Sequence, residues 1–145
     1  QLLHLKGRPV DKGLILISGN VRHFDALLAP LSQDLQTRIM SPMSRPTTWI
    51  VPDAEKQIPS WIRGEHDSVA IRISQHPLVG LLSHYFRGAL VSTSANPSGS
   101  KPAMSVNDIR RYFSAELGCI VPGLLGGATR PSQIIDLVSG KVLRE

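Results

Sequence analysis

"TTWIVPDAEKQIPSWIRGEHDSVAIRIS", residues 47–74, decides the fold. Two β-rich runs, 47–51 and 68–74, flank a stretch that reads as loop from Pro52 to Gly64, with one helical turn at "PSWIRG". Strands that follow one another directly argue for a sheet of mixed direction rather than a strictly doubly wound one. In the second run Val69, Ile71 and Ile73 share one face, and Ala70 and Arg72 the other. A guanidinium in so apolar a strand needs a carboxylate or phosphate partner. A structural salt bridge and an anionic ligand both meet that need.

Outward from this segment, strands and helices alternate. "GLILIS" (13–18) is a continuous apolar run bounded by Gly and Gly-Asn, a buried strand. Residues 20–40 read as helix, with Asn20 as N-cap and Pro30 splitting it in two. "HPLVGLLSHYFRG" (76–88) predicts an amphipathic helix begun by His76-Pro77 and stopped by Gly88. "ALVSTS" (89–94) predicts a strand, and "SVNDIRRYF" (105–113) a helix with Ser105 and Asp108 at capping spacing. "CIV" (119–121) and "SQIIDLV" (132–138) read as strands, and "KVLRE" returns after Ser139-Gly140 as a terminal hairpin. The Pro/Gly stretches at 97–102 and 122–131 have the length of functional loops. The expected class is α/β (α+β), a twisted mixed sheet with flanking helices, in one domain over residues 1–145.

Composition narrows the function. No apolar run approaches the roughly 20 residues that cross a bilayer, so no membrane partner is expected and a cytoplasmic location fits. The single cysteine, Cys119, allows no internal disulfide or thiolate metal cage. Its apolar surroundings predict a buried thiol. A formal charge of +5 and a pI near 9.9 favour a polyanion: nucleotide, RNA or phosphate. The five histidines are scattered. No GxxxxGK[ST], GxGxxG after a strand, HExxH, CxxC or GxSxG occurs; "GLLGGA" has the wrong spacing.

Short polar clusters stand instead at the edges of apolar strands. "LKGRPVDKG" puts Lys6, Arg8 and Lys12 just before the first strand. Three such cations suit a triphosphate, and they suit a solvated helix end as well. "LVSTSANPSG" (90–99) places Ser92 and Ser94 on one strand face, with Asn96 where the chain turns. Ser132 begins another strand, after the glycine-rich loop. Small hydroxyls and exposed amides let an anion approach the backbone closely. Together these clusters describe a basic, hydroxyl-lined pocket at strand ends.

"LKGRPVDKGLILI", "SVAIRISQHPLV", "LVSTSANPSG" and "RPSQIIDLVSGKVLR" resemble the YrdC-like family, in its bacterial single-domain TsaC (RimN) form, over nearly the whole chain. The resemblance implies a twisted sheet around a basic concave cavity. It implies a synthase that makes L-threonylcarbamoyl-AMP and pyrophosphate from L-threonine, bicarbonate or CO2, and ATP. That product serves modification of adenosine 37 in tRNAs reading ANN codons, through downstream threonylcarbamoyl-transfer proteins. Magnesium accompanies the ATP. Double-stranded RNA or tRNA binding is the alternative function, a basic module with impaired catalysis.

Position by position, the resemblance implies that Lys6 and Arg8 (a KxR motif), Lys12, Ser68, Ser94 and Asn96 (an SxN motif) and Arg144 bind ATP. It implies that Arg72 pairs the threonine carboxylate and that Ser92 and Ser132 lie against threonine. No catalytic base and no protein metal ligand are implied. Three departures stand out. The family opens about one strand and two helices upstream of Gln1, so the chain reads as N-terminally truncated relative to it. Where the family has "WPGPxT", this chain has "MSRPTT" (43–48), with the tryptophan and glycine replaced. Gln133 stands where a threonine often sits.

Overall fold

Thr47–Pro52 (β2) and Ser68–Ile73 (β3) pair antiparallel, as their direct succession requires. The protein is described by a computed structural model over residues 1–114, 116–127 and 130–145. Around the β2–β3 pair stand Ile15–Ser18 (β1), Leu90–Ser92 (β4), Gln133–Asp136 (β5) and Val142–Arg144 (β6). They form a six-stranded sheet in the order β4-β1-β3-β2-β5-β6. β1 runs parallel to β3, and β2 parallel to β5; the other neighbours are antiparallel. The mixed direction follows the reading of 47–74.

Alternation along the strands gives the sheet two unlike faces. On one face Leu16, Ile71, Trp49 and Ile135 lie in register across β1, β3, β2 and β5, all buried. The helices Asp25–Leu28 (α2), Gln33–Met40 (α3) and Ser60–Arg63 (α4), with the 3-10 turn Val21–Phe24, cover them. Phe24, Leu27, Leu28, Ile39 and Ile62 complete this core. Burying an aliphatic side chain of this size stabilises by roughly 1.5–3 kcal/mol. The other face carries Ser92, Ile15, Ala70 and Ile50 in one register row across β4, β1, β3 and β2.

Local capping signals account for three of the helix starts. Asn20 Oδ1 accepts from the Arg22 N–H at 3.0 Å. His76 Nδ1 accepts from the Leu78 N–H, with Pro77 in the first turn of Pro77–Phe86 (α5). Ser105 Oγ accepts from the Asp108 N–H at the head of Val106–Phe113 (α6). At the N-terminus Leu2–Lys6 (α1) ends on Gly7 in the left-handed region, and its last residue points back into the protein.

Four readings need correction. α5 stops at Phe86, not at Gly88: Arg87 takes the left-handed conformation, and its N–H and that of Gly88 close on His84 and Ser83. The strand predicted over 89–94 is only Leu90–Ser92, because the Asn96 N–H bonds Ser94 O and turns the chain off β1. Ser94 therefore does not share a strand face with Ser92. Residues 119–121 form no strand, since flanking Gly118 and Pro122 leave that short run unpaired. Cys119 is accordingly exposed, not buried. The 122–131 loop and its "GLLGGA" run include residues 128 and 129, outside the described residues.

Two glycines set the entrance to β1. Gly13 and Gly64 have φ of +59° and +74°. A Cβ on Gly64 would lie 2.2 Å from Asp11 O, and one on Gly13 would lie 2.8 Å from Arg63 O. The two backbones cross in contact here, with the Leu14 N–H on Ile62 O at 2.7 Å. The crossing brings the segment of Arg8 and Lys12 beside Arg63.

Candidate functional site

The polar face of the sheet opens into a cavity of about 650 Å³. Its floor is the row Ser92, Ile15, Ala70 and Ile50, flanked on β3 by Ser68 and Arg72. Arg8 and Lys12 stand at the end where the chain enters β1. Ser94 lines it from beyond β4, and Ser132 and Arg144 from β5 and β6. Thus four separate chain segments bring their predicted residues to one cavity, as the strand-end reading requires.

Each side chain is held by its neighbours. Arg8 folds onto the loop before β1, donating from Nε and Nη2 to Gly13 O at 3.1 and 2.9 Å and to Lys12 O at 3.2 Å. Arg144 Nη2 donates to Ser132 O at 2.7 Å and reaches Ser132 Oγ at 3.4 Å. Ser132 Oγ also shares a 2.9 Å hydrogen bond with Thr48 Oγ1. The β5–β6 hairpin thereby holds its arginine against the serine that begins β5.

Lys6 and Asn96 do not line the cavity. Lys6 is buried and donates from Nζ to Ser94 O, Asn96 O and Asn96 Oδ1, within 2.5 to 3.2 Å. Asn96 Nδ2 donates in turn to Ser100 O. The pair pins the 92–100 loop to α1 and so presents Ser92 and Ser94. Burial, and then the charge of Arg8, push the Lys6 pKa down. Three acceptor oxygens oppose that push and match the three donors of an ammonium.

Arg72 is half-buried, and burial lowers its pKa. Ion pairs among the described residues are Arg63–Asp53 and Arg111–Asp108, so no carboxylate partners Arg72 there. The salt-bridge explanation for an arginine in β3 therefore fails among the described residues, and Arg72 instead lines the cavity. Arg72 also borders a second, larger cavity of about 870 Å³, lined by Met40, Met43, Arg45, His76 and Leu78 among others. Arg72 is thus the wall between two adjoining spaces.

Four further residues were given no role by sequence reasoning. Arg63, the last residue of α4, and His66, in the loop before β3, line the smaller cavity, as does Thr93 just past β4. Thr48, wholly buried, orients Ser132. Thr48 and Thr93 stand inside the stretches "MSRPTT" and "LVSTSANPSG", and Arg63 carries charge at the end of a helical turn; His66 carries no signal until the sheet is assembled. Neither cavity is lined by an Asp or Glu among the described residues. No group of three or more His, Cys, Asp or Glu there is placed to hold a metal.

Comparison with known proteins bears on the family and the fold. The Sua5/YciO/YrdC family model, described as "Telomere recombination", matches residues 1–145. A protein of Marinobacter nauticus named threonylcarbamoyl-AMP synthase is 43% identical over 143 residues, which are 99% of this chain and 75% of that one. One of the same name from Hahella chejuensis is 46% identical over 145 residues, covering 100% and 78%. Among solved structures, a double variant of P. abyssi Sua5 superposes with a TM-score of 0.84 at 25% identity, over 94% of this chain and 41% of that chain. P. abyssi Sua5 complexed with L-threonine matches with a TM-score of 0.76 at 25% identity, over 93% and 39%. The chain thus spans about two fifths of the P. abyssi Sua5 it resembles. With a mixed sheet that carries core on one face and cations on the other, with the family model spanning residues 1–145, and with relatives covering nearly all of this chain, it belongs to the Sua5/YciO/YrdC family.

Proposed function

We propose that the chain is a threonylcarbamoyl-AMP synthase, joining L-threonine, bicarbonate or CO2, and ATP into threonylcarbamoyl-AMP and pyrophosphate. Relatives carry that name across the chain's full length. The observation that carries the reading is the convergence of Arg8, Lys12, Ser94, Ser132, Arg144 and Arg72 on one cavity free of acidic side chains among the described residues.

The chemistry asks for little beyond placement. The threonine amine adds to CO2 as a carbamate, and a carbamate oxygen attacks the α-phosphate as pyrophosphate leaves. Two anions must meet, so the protein must neutralise charge and fix geometry. Arg8 and Lys12 lie where phosphates can enter along the floor of the sheet, and Ser68 and Ser94 offer hydroxyls across it. Arg144 closes the far side against Ser132. Arg72, between the two cavities, binds the amino-acid carboxylate and leaves the amine facing the nucleotide. Lys6 and Asn96 act by holding the loop that carries Ser94.

Magnesium bound with the nucleotide would supply neutralisation of phosphate charge. No Asp or Glu among the described residues lines the cavity, so the phosphates themselves would hold most of it. The product serves modification of adenosine 37 in tRNA through separate transfer proteins, in the cytoplasm. No helix of the described residues is long and apolar enough to cross a membrane. The basic charge could also serve RNA, but cations gathered inside a concavity favour a mononucleotide over an extended phosphate backbone. The test is pyrophosphate release from ATP that requires both threonine and bicarbonate. Release without threonine dependence, or ATP binding that vanishes with added salt as steeply as RNA binding does, would overturn it.

A further inference from the structure

The larger cavity is the one the sequence reading did not foresee, and its charged lining is two arginines, Arg45 and Arg72, with no acidic side chain among the described residues. Arg45 stands before β2, at the glycine position of the "WPGPxT" pattern, and is half-buried. Its Nε donates to Gln133 Oε1 at 2.9 Å. Gln133 is itself buried, and its Nε2 donates to Thr47 Oγ1 at 2.7 Å. Thr47 Oγ1 donates back to Arg45 O at 3.0 Å, which closes the loop of bonds. The clamp uses one edge of the guanidinium. No acceptor among the described residues takes up its terminal nitrogens. The two residues that depart from the family pattern, Arg45 and Gln133, are therefore bonded to each other.

A long side chain is fixed this way only at an entropic cost, and the clamp leaves the terminal donors of Arg45 free on a residue that lines the same cavity as Arg72. Thr48 and Arg72 adjoin the Trp49–Ile71 pair of the β2–β3 ladder, so the segment of Arg45 enters the sheet next to Arg72. We infer that Arg45, positioned by Gln133, is a second carboxylate-binding residue of this chain, sharing the amino-acid carboxylate with Arg72 and fixing which substrates the larger cavity accepts. The inference rests on the synthase reading and names a residue of its amino-acid site.

The test compares wild type, Arg45→Ala, Gln133→Leu and Gln133→Glu, with L-threonine and L-threonine amide as substrates. Arg45→Ala should raise the threonine KM or Kd about 10- to 100-fold, the scale of one charge-assisted hydrogen-bond pair, with the ATP KM within about twofold of wild type. The amide lacks the carboxylate charge, so its weaker turnover should not fall further in Arg45→Ala. Gln133→Leu should move threonine affinity in the same direction, and Gln133→Glu, whose charge pairs with Arg45 and opposes the substrate carboxylate, should weaken it as well. An unchanged threonine Kd in a folded Arg45→Ala protein, or equal losses for threonine and its amide, overturns the inference while leaving the synthase intact. Wild-type protein that binds no threonine overturns both.

Discussion

The two faces of β3 differ in what they were selected to hold. Val69 and Ile71 are buried among Leu16, Trp49 and Leu137 in the apolar core. One residue along, Ser68, Ala70 and Arg72 face a cavity with a cation and, among the described residues, no protein anion to meet it. The first face stabilises the fold. The second leaves the charge of Arg72 without an ion pair among the described residues, and under the proposed function that charge meets an anionic substrate. On that reading a strand of six residues serves stability and binding on alternate positions.

The sharpest way to break the comparison is to substitute adjacent residues. Arg72→Ala should lower threonine-dependent pyrophosphate release by about 10²- to 10³-fold, as loss of a preorganised charged donor does, with the urea midpoint nearly unchanged. Ile71→Ala should do the reverse, costing about 2–5 kcal/mol of stability in chemical denaturation while the folded fraction keeps its threonine KM. If Arg72→Ala unfolds the protein and retains activity per folded molecule, the division between faces is wrong.

A smaller effect belongs to groups that support the polar face from beneath. Lys6→Met would leave Ser94 O and Asn96 O without their buried donor, at a cost of about 1–3 kcal/mol. The ATP KM should rise as the 92–100 loop loosens, read by steady-state kinetics beside thermal unfolding. Thr48→Val removes the Oγ1 partner of Ser132 and should cost about 1 kcal/mol. Its kcat loss should be milder than that of Arg72→Ala.

The smallest effect lies at the rim. Asp136, which pairs with Ile50 on β2, has its pKa lowered by hydrogen bonds from the Ser139 N–H and Oγ. A lowered folded pKa contributes stability above the unfolded value of about 3.9 and loses it as pH falls through the folded one. Asp136→Asn should therefore flatten the acid limb of stability below that pH and leave neutral activity unchanged. Denaturation midpoints at pH 7 and pH 3 provide the check.

The mixed sheet was legible because β2 and β3 follow without a crossover helix, and Arg72's face was legible because alternation depends on the local backbone alone. The polar clusters around Arg8, Ser94, Ser132 and Arg144 could be read as one pocket only by assuming that their strand ends converge. Other matters turned on partners distant in sequence. Lys6 proved to be a buried brace because Asn96 lies against it, and Cys119 is exposed because no strand meets 119–121. The Arg45–Gln133 clamp spans residues brought together by the β2–β5 register. Local pattern sets what a residue can do, and long-range packing decides which groups it meets, because burial and hydrogen-bond partners are properties of the assembled sheet.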